Sequence, residues 1–343
     1  MSIEFLASKL EGKVIDKWEI IKKRRKTEDD DSGAFSSCYE VKNIENGQIG
    51  FLKAINYHYA FKSLGTSTDS LQQLTETYNY ERDLLSFCKD KKMSRVVTAI
   101  AHGEYRESGY LPVPYLIFEI ATGSLKNVKQ EKQLDLAWKI GAIHGFLVGL
   151  SQLHEEKIVH QDLKPSNILI FGHGVSKLAD LGNATKSDKR SPSWDRDGHC
   201  GDLRYAPIEL LYKYCSPNWE ARRLGADLFM AGGVITYLLT DVNFLWLLIK
   251  NLPESYRYFN FGGSYEDVKP HLIEAYNISL EEIKDRIDSR VRKGMIEIIA
   301  QLSHPIPEER GIPEKLTSLP QYSLHRYISI VDRIGKQLEI GQK

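Results

Sequence analysis

The sequence predicts an α+β protein with two lobes, because strand signals fill its first third and helical signals dominate the remainder. Three early segments read as strands: Trp18–Ile21, Cys38–Val41 and Gly50–Ile55. The dipeptide Asn46-Gly47 suits a tight turn between the second and third of them. Further strand-like segments lie at 96–102 and 115–119.

The hydrophobic period becomes helical after the third strand. One stripe contains Leu71, Leu74, Tyr78 and Leu85. Glu81 occupies a step of this stripe where an apolar residue is expected. A carboxylate on the inward face of a helix is costly unless it meets a cation, so the pattern predicts a buried positive partner for Glu81.

Helical stripes dominate the chain after Gly123. The first stripe consists of Leu136, Ile140, Ile143, Leu147, Leu150 and Leu153. Late helices are indicated by Ile283, Ile287, Val291 and Ile298, and by Leu324, Tyr327, Val331, Ile334 and Leu338. The apolar segment 228–249 is about long enough to span a membrane, but it contains Asp241 and Asn243. We expect instead a buried core helix near 225–240, followed by a short second segment.

Composition limits the classes of partner and compartment. The 343 residues are 42% hydrophobic and 27% charged, as in ordinary globular proteins. Basic and acidic residues are equal at 46 each, so net charge indicates no nucleic acid or membrane partner. The basic run 22–26, followed by the acidic run 28–31, could be a nuclear-import or nucleic-acid patch, but a solvated loop is preferred.

The cysteines and the first residues bear on the compartment. Cys38, Cys88, Cys200 and Cys215 show no Cys-x-x-Cys spacing, which favours reduced thiols over a disulfide scaffold or a zinc site. Residues 1–15 lack the apolar core of a secretory signal. We therefore expect a cytoplasmic location.

Two polar segments carry the chemistry: 160–170, which reads HQDLKPSNILI, and 177–182, which reads KLADLG. Phosphoryl transfer needs metal ions, a cation near the γ-phosphate and an acceptor for the proton of the incoming hydroxyl. Asp162 can accept that proton, and Lys164 can reach the same place. Asn167 and Asp180 offer the hard oxygen ligands that Mg²⁺ prefers. Apolar residues 168–170 and 176–179 predict short strands that hold these ligands.

These two segments resemble the catalytic loop and the metal-binding loop of the eukaryotic-type protein kinases, with matching spacing. The resemblance covers about residues 18–315. It implies an ATP- and Mg²⁺-dependent enzyme with protein substrates, and the Asp162-Leu-Lys164 arrangement favours serine and threonine hydroxyls, including the protein's own. Asp162 and Lys164 would be catalytic, and Asn167 and Asp180 would bind the metal and nucleotide.

The resemblance also assigns residues of the small lobe. Lys53 is similar to the lysine that holds the α- and β-phosphates, and Glu81 to its helix partner. Gly33 resembles a residue of the glycine-rich loop that covers the phosphates. Residues 116–121 resemble the hinge, where the Glu119 carbonyl and the Ala121 amide would bind adenine.

The resemblance extends to the large lobe and sets the domain bounds. Residues 201–209 resemble the end of the activation segment, with Glu209 expected to pair with Arg310. We expect an N-terminal extension at 1–17 and a kinase domain at 18–343, divided into a small lobe of about 18–120 and a large lobe of about 121–343.

Several positions depart from the family pattern, among them Phe51, which stands where a small residue usually lies over the adenine. Asp31 and Ser36 replace two glycines of the phosphate-covering loop. Gln161 replaces the arginine that often precedes the catalytic aspartate and binds an activating phosphate, so activity without that switch is expected even though Ser187, Ser191 and Ser193 are available. Asp202 stands where serine/threonine kinases usually have a threonine, and it could bind Lys164.

Three functions fit these observations. An active serine/threonine protein kinase is preferred, because every charged catalytic group is present. The altered phosphate loop leaves open a pseudokinase that senses nucleotide or acts as a scaffold. A small-molecule kinase of the aminoglycoside or choline type is the third alternative, but such enzymes usually lack Lys164 and the segment ending at Glu209. The sequence does not indicate an oligomeric state.

Overall fold

The computed structural model describes residues 6–24, 36–57, 68–108, 110–131, 133–187, 201–313 and 318–340. Contacts within the chain divide it into two units. Unit 1 comprises Met1–Thr122 with Ala179–Gly182, and unit 2 comprises Gly123–Leu178 with Asn183–Lys343. The predicted domain bounds stay a prediction.

Unit 1 is built on an antiparallel sheet of six strands in the order β1-β2-β3-β4-β6-β5. The strands are β1 (Val14–Ile15), β2 (Trp18–Lys23), β3 (Ser36–Asn43), β4 (Ile49–Ile55), β5 (Ala99–Tyr105) and β6 (Val113–Glu119), and helix α1 (Thr68–Asp90) follows β4. The predicted turn lies between β3 and β4, where Gly47 adopts a φ of +75° that favours glycine. The predicted strands and helix of this region are confirmed.

Alternation along β4 sets the direction of its side chains. Leu52 and Ala54 are fully buried in an apolar core with Trp18 and Tyr39. The N-terminal residues 6–10 contribute to the same core, and the Tyr39 hydroxyl donates to the Ala7 carbonyl at 2.7 Å. Successive side chains on a strand point to opposite faces. Because Leu52 and Ala54 face the core, the side chain of Lys53 points to the other face of the sheet.

Helix α1 buries the predicted stripe from Leu74 onward, and the side chain of Leu71 lies outside the described part of the structure. Leu74, Tyr78 and Leu85 are buried, and so is Glu81. The Tyr78 hydroxyl donates to the Tyr115 carbonyl of β6 at 3.0 Å, which fixes the helix against the sheet. Since Glu81 lies three residues after Tyr78, it faces the same direction.

Unit 2 is mainly helical. Its helices are α2 (Leu125–Glu131), α3 (Leu136–Glu155), α4 (Ile208–Leu211), α5 (Trp219–Thr240), α6 (Phe244–Asn251), α7 (Tyr265–Lys284), α8 (Arg292–Leu302) and α9 (His325–Ile340). Its short strands are β7 (Gly123–Ser124), β8 (Ile158–Val159), β9 (Ile168–Phe171), β10 (Val175–Leu178) and β11 (Thr185–Lys186). They form two antiparallel groups, β10-β9-β7 and β11-β8.

The predicted stripes of unit 2 are buried on the observed helices. All members of the α3 stripe from Ile140 onward are buried. The late stripe from Ile283 to Ile298 is also buried, but Ile287 and Val291 lie outside the helices, because the chain turns between Lys284 and Arg292. The two strands predicted for the metal-ligand segments are present as β9 and β10.

The apolar segment 228–249 forms two helices, as predicted. Helix α5 is buried along most of its length, and Asp241 ends it in the left-handed conformation. Asn243 begins α6 by accepting a hydrogen bond from the Trp246 backbone at 3.1 Å. Among the described residues, no single helix is long and apolar enough to cross a bilayer. Helices α5 and α6 together are long and apolar enough, but the pair is bent by 96°.

Candidate active site

The cation predicted for Glu81 is Lys53. The Lys53 ammonium donates to the two carboxylate oxygens of Glu81 at 3.0 and 3.3 Å. It also donates to Oδ1 of Asp180 at 3.1 Å. Unit 1 therefore brings three of the predicted site residues together, and their formal charges sum to −1.

The two carboxylates determine the charge state of the lysine. Burial by itself would lower the pKa of Lys53, but the negative charges of Asp180 and Glu81 outweigh burial and raise the pKa above its ordinary value. Lys53 is thus a cation at neutral pH, as a group that binds phosphate must be.

Asp227 holds the backbone of the segment that contains Asp162. Its carboxylate, which is fully buried on α5, accepts hydrogen bonds from the backbone amides of His160 at 2.7 Å and Gln161 at 2.8 Å. The His154 ring nitrogen Nε2 lies 2.9 Å from the same carboxylate. A buried carboxylate with three polar partners is well satisfied, so this contact fixes the loop rigidly.

The Asp162 carboxylate is surrounded by donors. Oδ1 accepts from the Asp202 backbone amide at 2.9 Å. Oδ2 lies 3.2 Å from the Lys164 ammonium, 3.1 Å from Asn167 Nδ2 and 3.4 Å from Asn183 Nδ2. These contacts hold Asp162 in one orientation.

Gly201 permits the close approach of the Asp202 amide to Asp162. Its φ of +91° is unfavourable for other residues. A Cβ atom added to Gly201 would lie 2.7 Å from both Asp162 Oδ1 and the Gln161 carbonyl oxygen. A glycine is therefore required at this position by both conformation and space.

The Asn167 side chain fits a metal ligand. Its amide nitrogen donates to the Asp162 carbonyl at 2.8 Å as well as to the carboxylate, which orients the amide. Its Oδ1 is buried and accepts no hydrogen bond from any residue that the structure describes. An oriented, unpaired amide oxygen and the net negative set of Lys53, Glu81 and Asp180 both suit a hard cation.

Asp202 and Arg204 add two charges next to Asp162. The Arg204 guanidinium binds the Asp202 carboxylate through Nε at 2.9 Å and Nη2 at 2.6 Å. The same carboxylate lies 3.9 Å from the Lys164 ammonium, so the predicted contact between Asp202 and Lys164 is present. Arg204 was not predicted from the sequence as part of this site.

Comparison with known proteins identifies the family. A family model described as the protein kinase domain matches residues 31–319. The chain belongs to the protein kinase family. The predicted two-lobe α+β fold of a protein kinase is thereby confirmed.

Similar proteins include several serine/threonine kinases. CTD kinase subunit alpha of Saccharomyces cerevisiae is 37% identical over 182 residues, which are 52% of this chain and 30% of that protein. Cyclin-dependent kinase F-1 of Arabidopsis thaliana is 30% identical over 228 residues, or 61% of this chain and 42% of that protein. Aurora kinase C of Mus musculus is 33% identical over 99 residues, which are 28% of this chain and 34% of that protein. The kinase thus spans less than half the length of each of these relatives.

Gln161 has a buried network in place of the usual arginine. Its amide nitrogen donates to Oγ1 of Thr185 at 2.9 Å and to the Asn183 carbonyl at 3.2 Å. Its amide oxygen accepts from Arg223 Nη1 of α5 at 2.6 Å. A neutral side chain therefore links the catalytic loop to β11 and α5. No local pattern in the sequence indicates Arg223, because it lies 62 residues from Gln161 along the chain.

The predicted ion pair between Glu209 and Arg310 is confirmed. Arg310 is fully buried, and its Nη1 donates to Glu209 Oε1 at 2.7 Å, while Nη2 contacts Oε2. Additional donation from Arg310 Nε to the His304 carbonyl at 2.6 Å satisfies the guanidinium. Removing one partner of such a buried pair typically costs about 3–5 kcal/mol of unfolding free energy.

The nucleotide-binding roles of Gly33, Glu119 and Ala121 stay predictions. Glu119 ends β6, opposite Gly50 in the register, and Ala121 follows it outside the strand. Phe51 pairs with Phe118 on the same two strands, and its effect on an adenine pocket stays a prediction. Gly33 lies outside the described residues. Convergence of residues 53, 162, 167 and 180 around one triphosphate also stays a prediction.

Proposed function

We propose that this protein kinase transfers the γ-phosphoryl group of ATP, with Mg²⁺, to serine and threonine hydroxyls of proteins, including its own. The observation that carries the proposal is the Asp162 carboxylate, held by three amide donors and by Lys164 at 3.2 Å. A preorganised acceptor next to a fixed cation suits a reaction in which a hydroxyl loses a proton while negative charge develops nearby.

Each residue has a distinct task in this proposal. Asp162 accepts the proton of the incoming hydroxyl, and Lys164 neutralises charge on the transferred group. Lys53 holds the α- and β-phosphates, and Glu81 keeps Lys53 in place through the contact at 3.0 Å. Gly33, the Glu119 carbonyl and the Ala121 amide complete the nucleotide site.

Asn167 and Asp180 would hold the magnesium ion. The unpaired Asn167 Oδ1 and the net charge of the Lys53 cluster support this assignment. When bound, Mg²⁺ neutralises phosphate oxygens and so lowers the cost of charge build-up. The Asn167 amide nitrogen meanwhile keeps Asp162 oriented.

The acceptor class is supported by three observations. Lys164 is typical of serine/threonine kinases, and the buried Glu209–Arg310 pair anchors the segment that docks polypeptide substrates in this family. The relatives CTD kinase subunit alpha, cyclin-dependent kinase F-1 and Aurora kinase C are named as kinases. We also propose a cytoplasmic location, which fractionation of cells expressing a tagged protein would test.

The test is transfer of radioactive phosphate. Purified protein is incubated with γ-labelled ATP and Mg²⁺, alone and with myelin basic protein, and labelled amino acids are identified after hydrolysis. Phosphoserine or phosphothreonine that disappears on chelation of magnesium is expected. Nucleotide binding without transfer would indicate a pseudokinase instead, and transfer only to an aminoglycoside or choline would indicate a small-molecule kinase.

A further inference from the structure

Lys164 lies between two carboxylates. Its ammonium is 3.2 Å from Asp162 Oδ2 and 3.9 Å from Asp202 Oδ2. Both carboxylates are almost inaccessible to solvent, with side-chain exposures of 7% and 9%. Since charges attract strongly where water is scarce, the two acids compete for the same lysine.

In the observed structure, Arg204 binds the Asp202 carboxylate and so reduces its attraction for Lys164. It binds Asp202 through three groups: its backbone amide and Nε reach Oδ1 at 2.9 Å each, and Nη2 reaches Oδ2 at 2.6 Å. Planar guanidinium groups match both oxygens of a carboxylate, which makes such pairs specific as well as strong. Asp202 is therefore occupied, and Lys164 stays closer to Asp162.

The Asp202 backbone prevents the carboxylate from moving away. Its amide donates to Asp162 Oδ1 at 2.9 Å, next to Gly201, where no larger residue fits. Among the residues that the structure describes, Lys164 is the other cation within 4.0 Å of the Asp202 carboxylate, so without Arg204 that carboxylate would turn to Lys164. A lysine drawn toward Asp202 would leave the place where the incoming hydroxyl and the transferred phosphoryl group meet.

We infer that Arg204 is a positioning residue that keeps Lys164 on Asp162 by holding the Asp202 carboxylate. The inference rests on the proposed kinase activity, and it concerns the pair of Asp202 and Arg204. Asp202 replaces a neutral threonine of the family pattern and adds one negative charge, which Arg204 compensates. The pair thus preserves the local charge that Asp162 and Lys164 have by themselves.

The chain contains a matched control for Arg204. Arg290 binds Asp288 with the same local geometry, through its backbone amide at 2.9 Å, Nε at 3.0 Å and Nη2 at 2.7 Å. The two arginine side chains are equally exposed, at 61% and 60%. Asp288 and Arg290 lie in the turn between α7 and α8 and make no contact with Lys164 in the described structure.

The experiment measures kcat and KM for ATP and for a protein acceptor in five proteins: wild type, R204A, D202T, R204A/D202T and R290A. R204A should lower kcat by about 10- to 100-fold with little change in KM for ATP, because misplaced catalytic groups slow the chemical step. R290A should stay within about twofold of wild type, as expected for a surface change.

The double variant distinguishes positioning from folding. R204A/D202T should recover to within about twofold of D202T, because the acid that captures Lys164 is gone and the two effects are not additive. Equal activities of R204A and R290A would overturn the inference. A loss in R204A that persists fully in the double variant would also overturn it, since that pattern indicates a structural role.

A second measurement does not depend on turnover. Crystal structures of wild type and R204A compare the distances from Lys164 Nζ to Asp162 Oδ2 and to Asp202 Oδ2. In R204A the ammonium should be closer to Asp202; an unchanged position would reject the inference. Absence of phosphoryl transfer in wild type would contradict the proposed function instead, and the crystallographic distances would still decide the role of Arg204.

Discussion

Two lysines of this kinase meet two carboxylates each, but their surroundings differ. Lys53 contacts Glu81 and Asp180 at 3.0 and 3.1 Å, and these three groups carry a net charge of −1. Lys164 contacts Asp162 and Asp202 at 3.2 and 3.9 Å, and Arg204 brings the sum of these charges to zero. The first set attracts a further cation, whereas the second is already balanced.

The difference indicates a division of labour. A net negative set around the lysine proposed to bind phosphate suits a metal ion that accompanies the nucleotide. In the proposed function, the balanced charges around Asp162 and Lys164 do not attract a metal to the place where the hydroxyl would bind. Substitutions in the two sets should therefore affect different steps.

The largest effect is expected for Asp162→Asn. Loss of the proton acceptor should lower kcat by about 10²–10⁴-fold. ATP affinity, measured by calorimetry with Mg²⁺, should be unchanged because Lys53 and its partners remain. Undiminished transfer in this variant would break the comparison by removing the proposed role of Asp162.

Lys53→Met should act on the nucleotide. Removal of this charged group should lower kcat/KM for ATP by about 10²–10³-fold, a typical cost for losing one electrostatic contact to the reacting group. Lys17→Met is the matched control, because Lys17 is a half-exposed lysine of unit 1 that pairs with Glu45 at 3.3 Å. If both variants bind and turn over ATP normally, Lys53 does not hold the phosphates.

Glu81→Gln should have a smaller effect of the same kind. Asp180 still contacts Lys53 in this variant, so only one charge-assisted contact is lost, and kcat/KM for ATP should fall by about tenfold. Glu76→Gln on the exposed face of α1 is the control and should behave as wild type. A loss equal to that of Lys53→Met would mean that Asp180 does not support the lysine.

The smallest effect is expected for the joint replacement of Ser187, Ser191 and Ser193 by alanine. Gln161 contacts Thr185 and Arg223 without any phosphate, so activity should stay within about twofold of wild type. Ser191 and Ser193 lie outside the described residues, and the test is the initial rate before and after phosphatase treatment. An inactive triple variant would show that phosphorylation is needed despite Gln161.

Much of the Lys53 set was predictable because local patterns reveal it. Glu81 interrupts an apolar helical stripe, and Lys53 lies on a strand whose neighbours are apolar. Each is a charged residue at a position where its segment predicts an apolar one, so the sequence indicates that the two charges form a pair. The distances of 3.0 and 3.3 Å confirm that pairing.

The Lys164 set was predictable only in its first members. Asp162, Lys164 and Asn167 follow a spacing that the sequence displays, and Asp202 was expected to reach Lys164. Arg204 was missed because an exposed arginine two residues after an aspartate is ordinary, as the same geometry at Asp288 and Arg290 demonstrates. Its importance depends on what else the aspartate contacts.

The sequence by itself determined the order of strands and helices, the kinase resemblance and the residue types of the site, because periodicity and short spacings are properties of neighbouring residues. Only the tertiary structure decided that Asp227 holds the catalytic loop, that Arg223 binds Gln161 and that Asn183 reaches Asp162. Buried polar groups must find partners wherever the fold brings them. Those partners lie far away along the chain, and no local pattern specifies them.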